Sequence, residues 1–280
     1  MNNIDYSGKT VVVTGAASGM GREVAEQLVA LGAEVHGLDI QQVENDMASF
    51  TMVNLAEESS IDEALTHLPT HVDSVFACAG VSGKGMPALL TATINFVGHR
   101  HLIESLVPRM SAGGSIGLIA SMGGMGWIGN IPAVIPLLQT SSFSEAVAYL
   151  QEHEEDPAVL GGPVEANRGY TFSKEATVLY AKYRSWSLAA QQIRINTVSP
   201  GATQTPMLSQ FGSSPDAGAK SVSPIGAPST PRNQADALLY LNSTEAEYIS
   251  GTDLVVDYGF SGGIYTGQGA LNVERRPSIH

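Results

Sequence analysis

The sequence predicts an α/β protein built on a doubly wound parallel sheet of seven strands. Three observations carry that expectation. Short apolar runs alternate with longer segments of helical period, which implies strand–helix–strand crossovers. The runs are apolar throughout instead of alternating, so each strand is covered on both faces. A glycine-rich turn, TGAASGMG, joins the first run to the first helical segment.

Taken in order, residues 10–13 read as a buried strand and 21–31 as a helix stopped at Gly32. Residues 34–38 form a second strand and 50–53 a weak third, followed by a helix at 60–68 and a fourth strand at 74–77. A single long helix is predicted over 88–110, ended by Gly113 and Gly114, with the fifth strand at 115–120. A long helix at 168–191, a sixth strand at 193–198 and a seventh at 254–256 complete the series. Two intervals break the rhythm. Residues 122–167 are rich in Gly, Met and Pro, with a helix predicted at 143–153, and residues 202–231 are rich in Gly, Ser and Pro. Long irregular segments inside compact domains are often lids or binding loops. No boundary splits the chain, so residues 1–280 are expected to form one domain with an insertion at 122–167 and a substrate loop at 202–231.

Composition narrows the class. The chain has 280 residues, 43% hydrophobic, which suits an ordered core. A formal charge of −13 repels nucleic acid and anionic membranes. MNNIDYSGKTVVVTG has no charged leader followed by an apolar run. No stretch approaches the roughly 18 apolar residues of a membrane span, so a cytoplasmic protein is expected. The single cysteine, Cys78, excludes an internal disulfide and a thiolate metal cluster. His99 and His101 lie two apart on a predicted helix and face different directions, and His67 and His71 flank Pro69. All four read as solvated surface, and no metal site is expected.

The glycines of TGAASGMG, Gly15, Gly19 and Gly21, permit a tight turn and a close approach of backbone amides to a pyrophosphate at a helix N-terminus. Such a loop alone is a weak signal, since glycine turns also serve packing. Here a strand precedes it, a helix follows, and Asp39 ends the second strand. A carboxylate there accepts both hydroxyls of an adenosine ribose and repels a 2′-phosphate. The expectation is a Rossmann-type dinucleotide site that takes NAD.

Tyr170 and Lys174 in RGYTFSKEA share one face of a predicted helix. With nine tyrosines and few lysines, about one chain in six would hold such a pair by chance. A tyrosine of pKa about 10 is a poor base at neutral pH, and lowering it to about 7 takes about 4 kcal/mol of preferential stabilisation of the phenolate. A neighbouring ammonium and a nicotinamide cation are suitable sources.

Together these motifs resemble the short-chain dehydrogenase/reductase family over nearly the whole chain and in the right order. TGAASGMG is similar to its glycine loop, Asp39 to its NAD-selecting acid and CAG at 78–80 to its Asn-Ala-Gly. Asn95 in TINFVG, Ser121, and Tyr170 with Lys174 match its catalytic positions, and SPGATQTPM at 199–207 its Pro-Gly segment. The resemblance implies that Tyr170 exchanges the proton with a substrate oxygen and Lys174 lowers its pKa and binds the nicotinamide ribose. It further implies that Ser121 donates to the substrate oxygen and Asn95 helps hold a water linking Lys174 to solvent. Cofactor contacts are implied for Gly15, Ser18, Gly19, Met20, Gly21, Asp39, Asn54, Leu55, Ala79, Gly80, Tyr170, Lys174, Pro200, Gly201, Thr203 and Thr205. A homo-oligomer, dimer or tetramer, is implied as well.

The chain departs from the family pattern at three places. Asn54 replaces an acid near the adenine, although an amide can still hydrogen-bond there, and Cys78 replaces an asparagine and reads as a small apolar side chain. The interval from Ser121 to Tyr170 is unusually long and resembles the branch of bacterial 3α-hydroxysteroid dehydrogenase/carbonyl reductases and terpenol or aryl-alcohol dehydrogenases. Met122, Met125, Trp127 and Ile128 either line a pocket beside the nicotinamide or form satellite core, while Met207, Leu208 and Phe211 close over it. The substrate expected is a bulky, weakly polar secondary alcohol or its ketone, chosen chiefly by the long interval. Two other readings compete. One is a silent NAD-binding scaffold. The other is a serine hydrolase, since Gly113-Gly-Ser-Ile-Gly117 fits Gly-x-Ser-x-Gly; there, however, the serine opens a strand instead of a helix.

Overall fold

The computed structural model describes residues 4–44, 46–162, 167–211 and 223–268. Residues 163–166 of the insertion and 212–222 of the substrate loop lie outside the described residues, as do both ends of the expected domain. The strands are β1 (Thr10–Thr14), β2 (Glu34–Asp39), β3 (Ser49–Met52), β4 (Val72–Ala77), β5 (Met110–Ile119), β6 (Arg194–Pro200) and β7 (Asp253–Val256). They form one sheet in the order β3-β2-β1-β4-β5-β6-β7, every pair parallel. The order reverses between β1 and β4, which opens a crevice at the carboxyl ends of these two strands.

Nine helices flank the sheet among the described residues: α1 (Gly19–Ala30), α2 (Glu58–Thr66), α3 (Ala88–Ala92), α4 (Gly98–Leu106), α5 (Ile131–Gln139), α6 (Phe143–Glu152), α7 (Arg168–Ala189), α8 (Pro231–Asn242) and α9 (Phe260–Thr266). On one face the core gathers Phe96, Leu102, Ile103, Phe172 and Tyr180; on the other, Val24, Leu28, Phe76, Leu238 and Leu239. Val11, Val12 and Val13 are fully buried and serve both faces, as an apolar strand requires.

The single helix expected over 88–110 is instead broken. α3 passes through a π turn, Thr93–Val97, into α4, and a 3-10 turn at Val107–Arg109 ends the run. Pro108 has no N–H to continue the ladder, so β5 starts at Met110 instead of 115. The register then slips between Val72 and Ser74, and Gly113 at φ 90° lies in the slipped stretch. Ser115 is a strand residue within β5 and 1% exposed. Its hydroxyl donates to the Asn242 carbonyl at 2.8 Å and lies 2.8 Å from the Ser74 hydroxyl, so it is a strut and not a nucleophile.

The insertion folds into α5 and α6, which pack on α7 and on the π turn. Val134, Leu137, Phe143 and Leu150 join the main core there. Buried Arg100 fastens the insertion to α4, donating to the carbonyls of Leu137 at 2.7 Å and Ser142 at 3.1 Å. Arg168 and Glu175 on α7 form a 2.9 Å ion pair, and Asn130 at the start of α5 donates to Glu175 at 2.6 Å. Among the described residues no helix is long and apolar enough to cross a membrane, and no cluster of His, Cys, Asp and Glu could hold a metal.

Candidate active site

The glycine loop is shaped by contacts that leave no room for side chains. Gly15 takes φ 72° and Gly19 φ 57°. A Cβ on Gly15 would meet the Ala79 backbone at 2.8 Å, and one on Gly21 would collide with the Gly15 carbonyl. Ser18, the N-cap of α1, makes no side-chain cap, so the first amides of the helix face the loop. Both oxygens of Asp39 are held by backbone: Oδ2 accepts from Ala17 N at 3.0 Å and Oδ1 from Gln41 N at 3.0 Å. Each keeps a second lone pair for a ribose hydroxyl. These residues and Leu55, Ala79 and Gly80 line one groove of about 520 Å³. Its glycines, helix terminus and acid fit a dinucleotide lacking a 2′-phosphate. Asn54 also lines the groove, its Nδ2 donating to Glu57 at 2.8 Å and its Oδ1 accepting from Ala56 N at 3.1 Å, which leaves one donor and one lone pair on the amide.

α7 begins at Asn167, whose left-handed backbone (φ 32°) lets its side chain accept from Tyr170 N at 3.2 Å. That cap fixes the turn that carries the tyrosine. Tyr170 Oη donates to Ser121 Oγ at 3.1 Å across 49 residues of sequence. Ser121 Oγ also accepts from Gly123 N at 3.0 Å. With both lone pairs engaged, the serine has its own proton free to donate to a substrate. One turn on, Lys174 is 5% exposed, its Nζ donating to the Ile119 carbonyl at 2.9 Å and lying 5.9 Å from the Tyr170 ring centroid. Burial pushes the lysine down to about 8. Burial also raises the Tyr170 phenol above its usual value, with the Ser121 hydrogen bond opposing. Burial therefore works against the phenolate, which is why the sequence reading calls on a nicotinamide cation as well as an ammonium.

Asn95 sits in the π turn, 2% exposed, and grips Val81 twice: Oδ1 accepts from Val81 N at 2.8 Å and Nδ2 donates to its carbonyl at 2.9 Å. Gly80 keeps the space beside it open, since a Cβ there would lie 3.2 Å from Asn95 Oδ1 and 3.7 Å from Lys174 Nζ. Burial pushes the Cys78 thiol up to about 12, so it remains a neutral thiol in the wall of the groove.

A second cleft of about 370 Å³ opens over Ser121 and Tyr170 and shares Met20, Thr205 and Met207 with the first. Pro200, Gly201 and Thr203 floor it, and Met122, Met207, Leu208 and Phe211 give it an apolar wall. The Phe211 ring lies 5.1 Å from that of Tyr170. Of the four insertion residues in question, only Met122 reaches this cleft. Trp127 packs on the core beneath Lys182, whose Nζ is 5.0 Å from its ring, and Ile128 is 66% exposed. Met125 is not among the residues lining the cleft.

Two residues escaped the sequence reading. Thr14 pins the end of β4 to the glycine loop, its hydroxyl accepting from Cys78 N at 3.0 Å and Ala79 N at 3.1 Å. His99, expected on the surface, is 4% exposed beneath the groove. His101 is partly exposed beside Asp62, and His67 and His71 are exposed. His99's signal was its position four residues after Asn95, on the same helix face.

A glycine-loop groove joined to a cleft that holds Ser121 and Tyr170, on a doubly wound sheet, is an arrangement suited to a dinucleotide-dependent oxidoreductase. The chain belongs to the short-chain dehydrogenase/reductase family. A family model described as NAD dependent epimerase/dehydratase family matches residues 11–204, and one described as Enoyl-(Acyl carrier protein) reductase matches residues 159–261. Coniferyl-alcohol dehydrogenase of Pseudomonas sp. (strain HR199 / DSM 7063) is 28% identical over 262 residues, covering 92% of this chain and 98% of the relative. The 3-alpha-hydroxysteroid dehydrogenase/carbonyl reductase of Comamonas testosteroni is 26% identical over 254 residues, covering 89% of this chain and 95% of the relative. The crystal structure of the 3-alpha-hydroxysteroid dehydrogenase from Pseudomonas sp. B-0831 complexed with NADH shares the fold. Its TM-score is 0.75 at 24% identity, covering 93% of this chain and 99% of that one. The two relatives fall in the branch that the long Ser121–Tyr170 interval suggested.

Proposed function

We propose that this protein is an NAD-dependent dehydrogenase that interconverts a bulky, weakly polar secondary alcohol, alicyclic or aryl, and its ketone. The observation that carries the reading is the pairing of Tyr170 Oη with Ser121 Oγ at 3.1 Å on the floor of an apolar cleft continuous with the glycine-loop groove. Asp39, with a free lone pair on each oxygen, favours NAD over a 2′-phosphorylated cofactor.

In this reading Tyr170 takes the proton of the alcohol in oxidation and returns it in reduction, while the free proton of Ser121 holds the substrate oxygen. The groove of Gly15, Gly19 and Asp39 would hold NAD, which would supply the hydride acceptor and a positive charge to oppose the burial that raises the Tyr170 phenol. Lys174 stays mostly an ammonium at neutral pH, with a value of about 8, and adds a second positive charge on the phenolate's side. Asn95 fixes the Val81 backbone at the junction of groove and cleft. The four apolar side chains over the cleft exclude water and suit a ring system better than a sugar. Both relatives are named for ring-bearing alcohols, and of the two substrates named the 3-alpha-hydroxysteroid is the secondary alcohol.

An NAD-coupled screen of secondary alcohols tests this. Turnover of terpenols, steroids or aryl carbinols is expected. Turnover of sugars or short polyols with none of those would sink the substrate assignment.

A further inference from the structure

Beneath the junction of the two clefts, two side chains and the backbone carbonyl of Asn95 form a hydrogen-bonded chain whose proton positions can be deduced. Thr14 Oγ1 accepts from Cys78 N at 3.0 Å and from Ala79 N at 3.1 Å, which occupies both its lone pairs. It also lies 2.9 Å from His99 Nε2. The hydroxyl proton is all that Thr14 has left to offer, so it must point at Nε2, and Nε2 must carry no proton. The other ring nitrogen, Nδ1, lies 3.2 Å from the carbonyl oxygen of Asn95, an atom that can only accept. His99 is therefore neutral, protonated on Nδ1, and donating to Asn95. Burial drives its pKa down to about 4, with the Lys174 charge acting in the same direction and the Asn95 hydrogen bond opposing, in keeping with a neutral ring.

The direction of this chain ties the β4 end to the π turn. Cys78 and Ala79 donate to Thr14, Thr14 donates to His99, and His99 donates to Asn95. Asn95 in turn grips Val81 with both side-chain atoms, so the Cys78–Val81 segment is held from both its ends. That segment walls the groove beside Lys174 Nζ. A π turn spaces helical carbonyls differently from an α turn and is frequent at functional sites. Here a ring nitrogen supplies a directed donor to the carbonyl of its central residue.

We propose that His99 is a positioning residue of this enzyme: as the Nδ1–H tautomer it orients the Asn95 carbonyl and locks the π turn to the Cys78–Val81 wall. The proposal rests on the reading of Asn95 and Lys174 as parts of the active site. An apolar residue of similar size would fill the same volume but leave the Thr14 proton unpaired in the interior and withdraw the side-chain donor from the Asn95 carbonyl.

The test has two readouts on the intact protein. In protein labelled with ¹⁵N-histidine, the long-range ¹H–¹⁵N spectrum at neutral pH should show His99, assigned by its loss in His99→Asn, as the Nδ1–H tautomer. An Nε2–H tautomer or a protonated ring overturns the proposal. In steady-state kinetics, His99→Leu should lower kcat between about tenfold and about a hundredfold with KM for the alcohol within about threefold. His99→Asn, whose Nδ2 can stand in for Nδ1, should recover a large part of that loss. A His99→Leu enzyme with unchanged kcat overturns the proposal, as does a folded His99→Asn enzyme no better than His99→Leu. If His99→Leu does not fold, the tautomer and the kcat of His99→Asn against wild type decide: an Asn variant more than about tenfold below wild type overturns it. A wild-type protein inactive with every alcohol would count against the proposed function, whereas the tautomer is read without turnover.

Discussion

Two irregular regions, the insertion after Ser121 and the loop after Pro200, look alike in sequence and do different work. Both are rich in glycine and proline and both leave the sheet beside the active site. The insertion turns away after Met122 and Gly123. It builds α5 and α6 against α7 and the π turn, and its apolar side chains disappear into the main core. The loop after Pro200 stays over the site and presents Met207, Leu208 and Phe211 to the cleft, with Phe211 54% exposed. Of the insertion residues expected at the pocket, Met122 alone lines the cleft, so the length of the Ser121–Tyr170 interval does not by itself mark its wall. A segment that carries its own amphipathic helices is bound to bury them. Residues 201–211 hold only a three-residue 3-10 turn, and their large side chains are left for the cleft.

Substitutions in the two regions should therefore fail in different ways. The largest effect is expected at Leu150, fully buried in α6. Leu150→Ala should cost about 2–5 kcal/mol of stability in urea unfolding while leaving the ratio of kcat/KM among alcohols unchanged. A changed ratio would mean that the insertion does reach the substrate. A smaller effect of the opposite kind is expected at Phe211. Phe211→Ala should lower kcat/KM for ring-bearing alcohols by about ten- to a hundredfold, with little change in the urea midpoint. Equal losses for small and bulky alcohols would break the contrast and move the specificity wall elsewhere.

Much of the fold was legible because parallel strands buried on both faces read as unbroken apolar runs, and all seven were found within a few residues. The helices that escaped did so for physical reasons. α5 carries Pro132 in its first turn and Pro136 inside, so its composition reads as loop. α8 follows a Ser/Pro-rich stretch, although Thr230 caps it with Pro231 at its start and Asn233 completing a capping box, a signal that could have revealed it. A π turn leaves no trace in periodicity, which hid the break at Asn95. The candidate site was legible as an ordered set of motifs: Ser121 and Tyr170 line the second cleft, Lys174 lies one turn on, and Asn95 and Lys174 Nζ both lie close to Gly80. What the residue types did not disclose was commitment. Asn54 gives half of its amide to Glu57 and the Ala56 backbone, and Lys174 points its ammonium at Ile119. His99 goes inward, where its two nitrogens have one donor and one acceptor to satisfy.

The central claim is that proton transfer runs through the Tyr170 hydroxyl beside Ser121. Tyr170→Phe removes that one oxygen and keeps the ring that packs near Phe211. Measured on an alcohol that the wild type turns over, kcat/KM should fall by about 10²–10⁴-fold, with NADH affinity by fluorescence titration within a few-fold of wild type. A Tyr170→Phe enzyme that keeps wild-type kcat/KM would contradict the account.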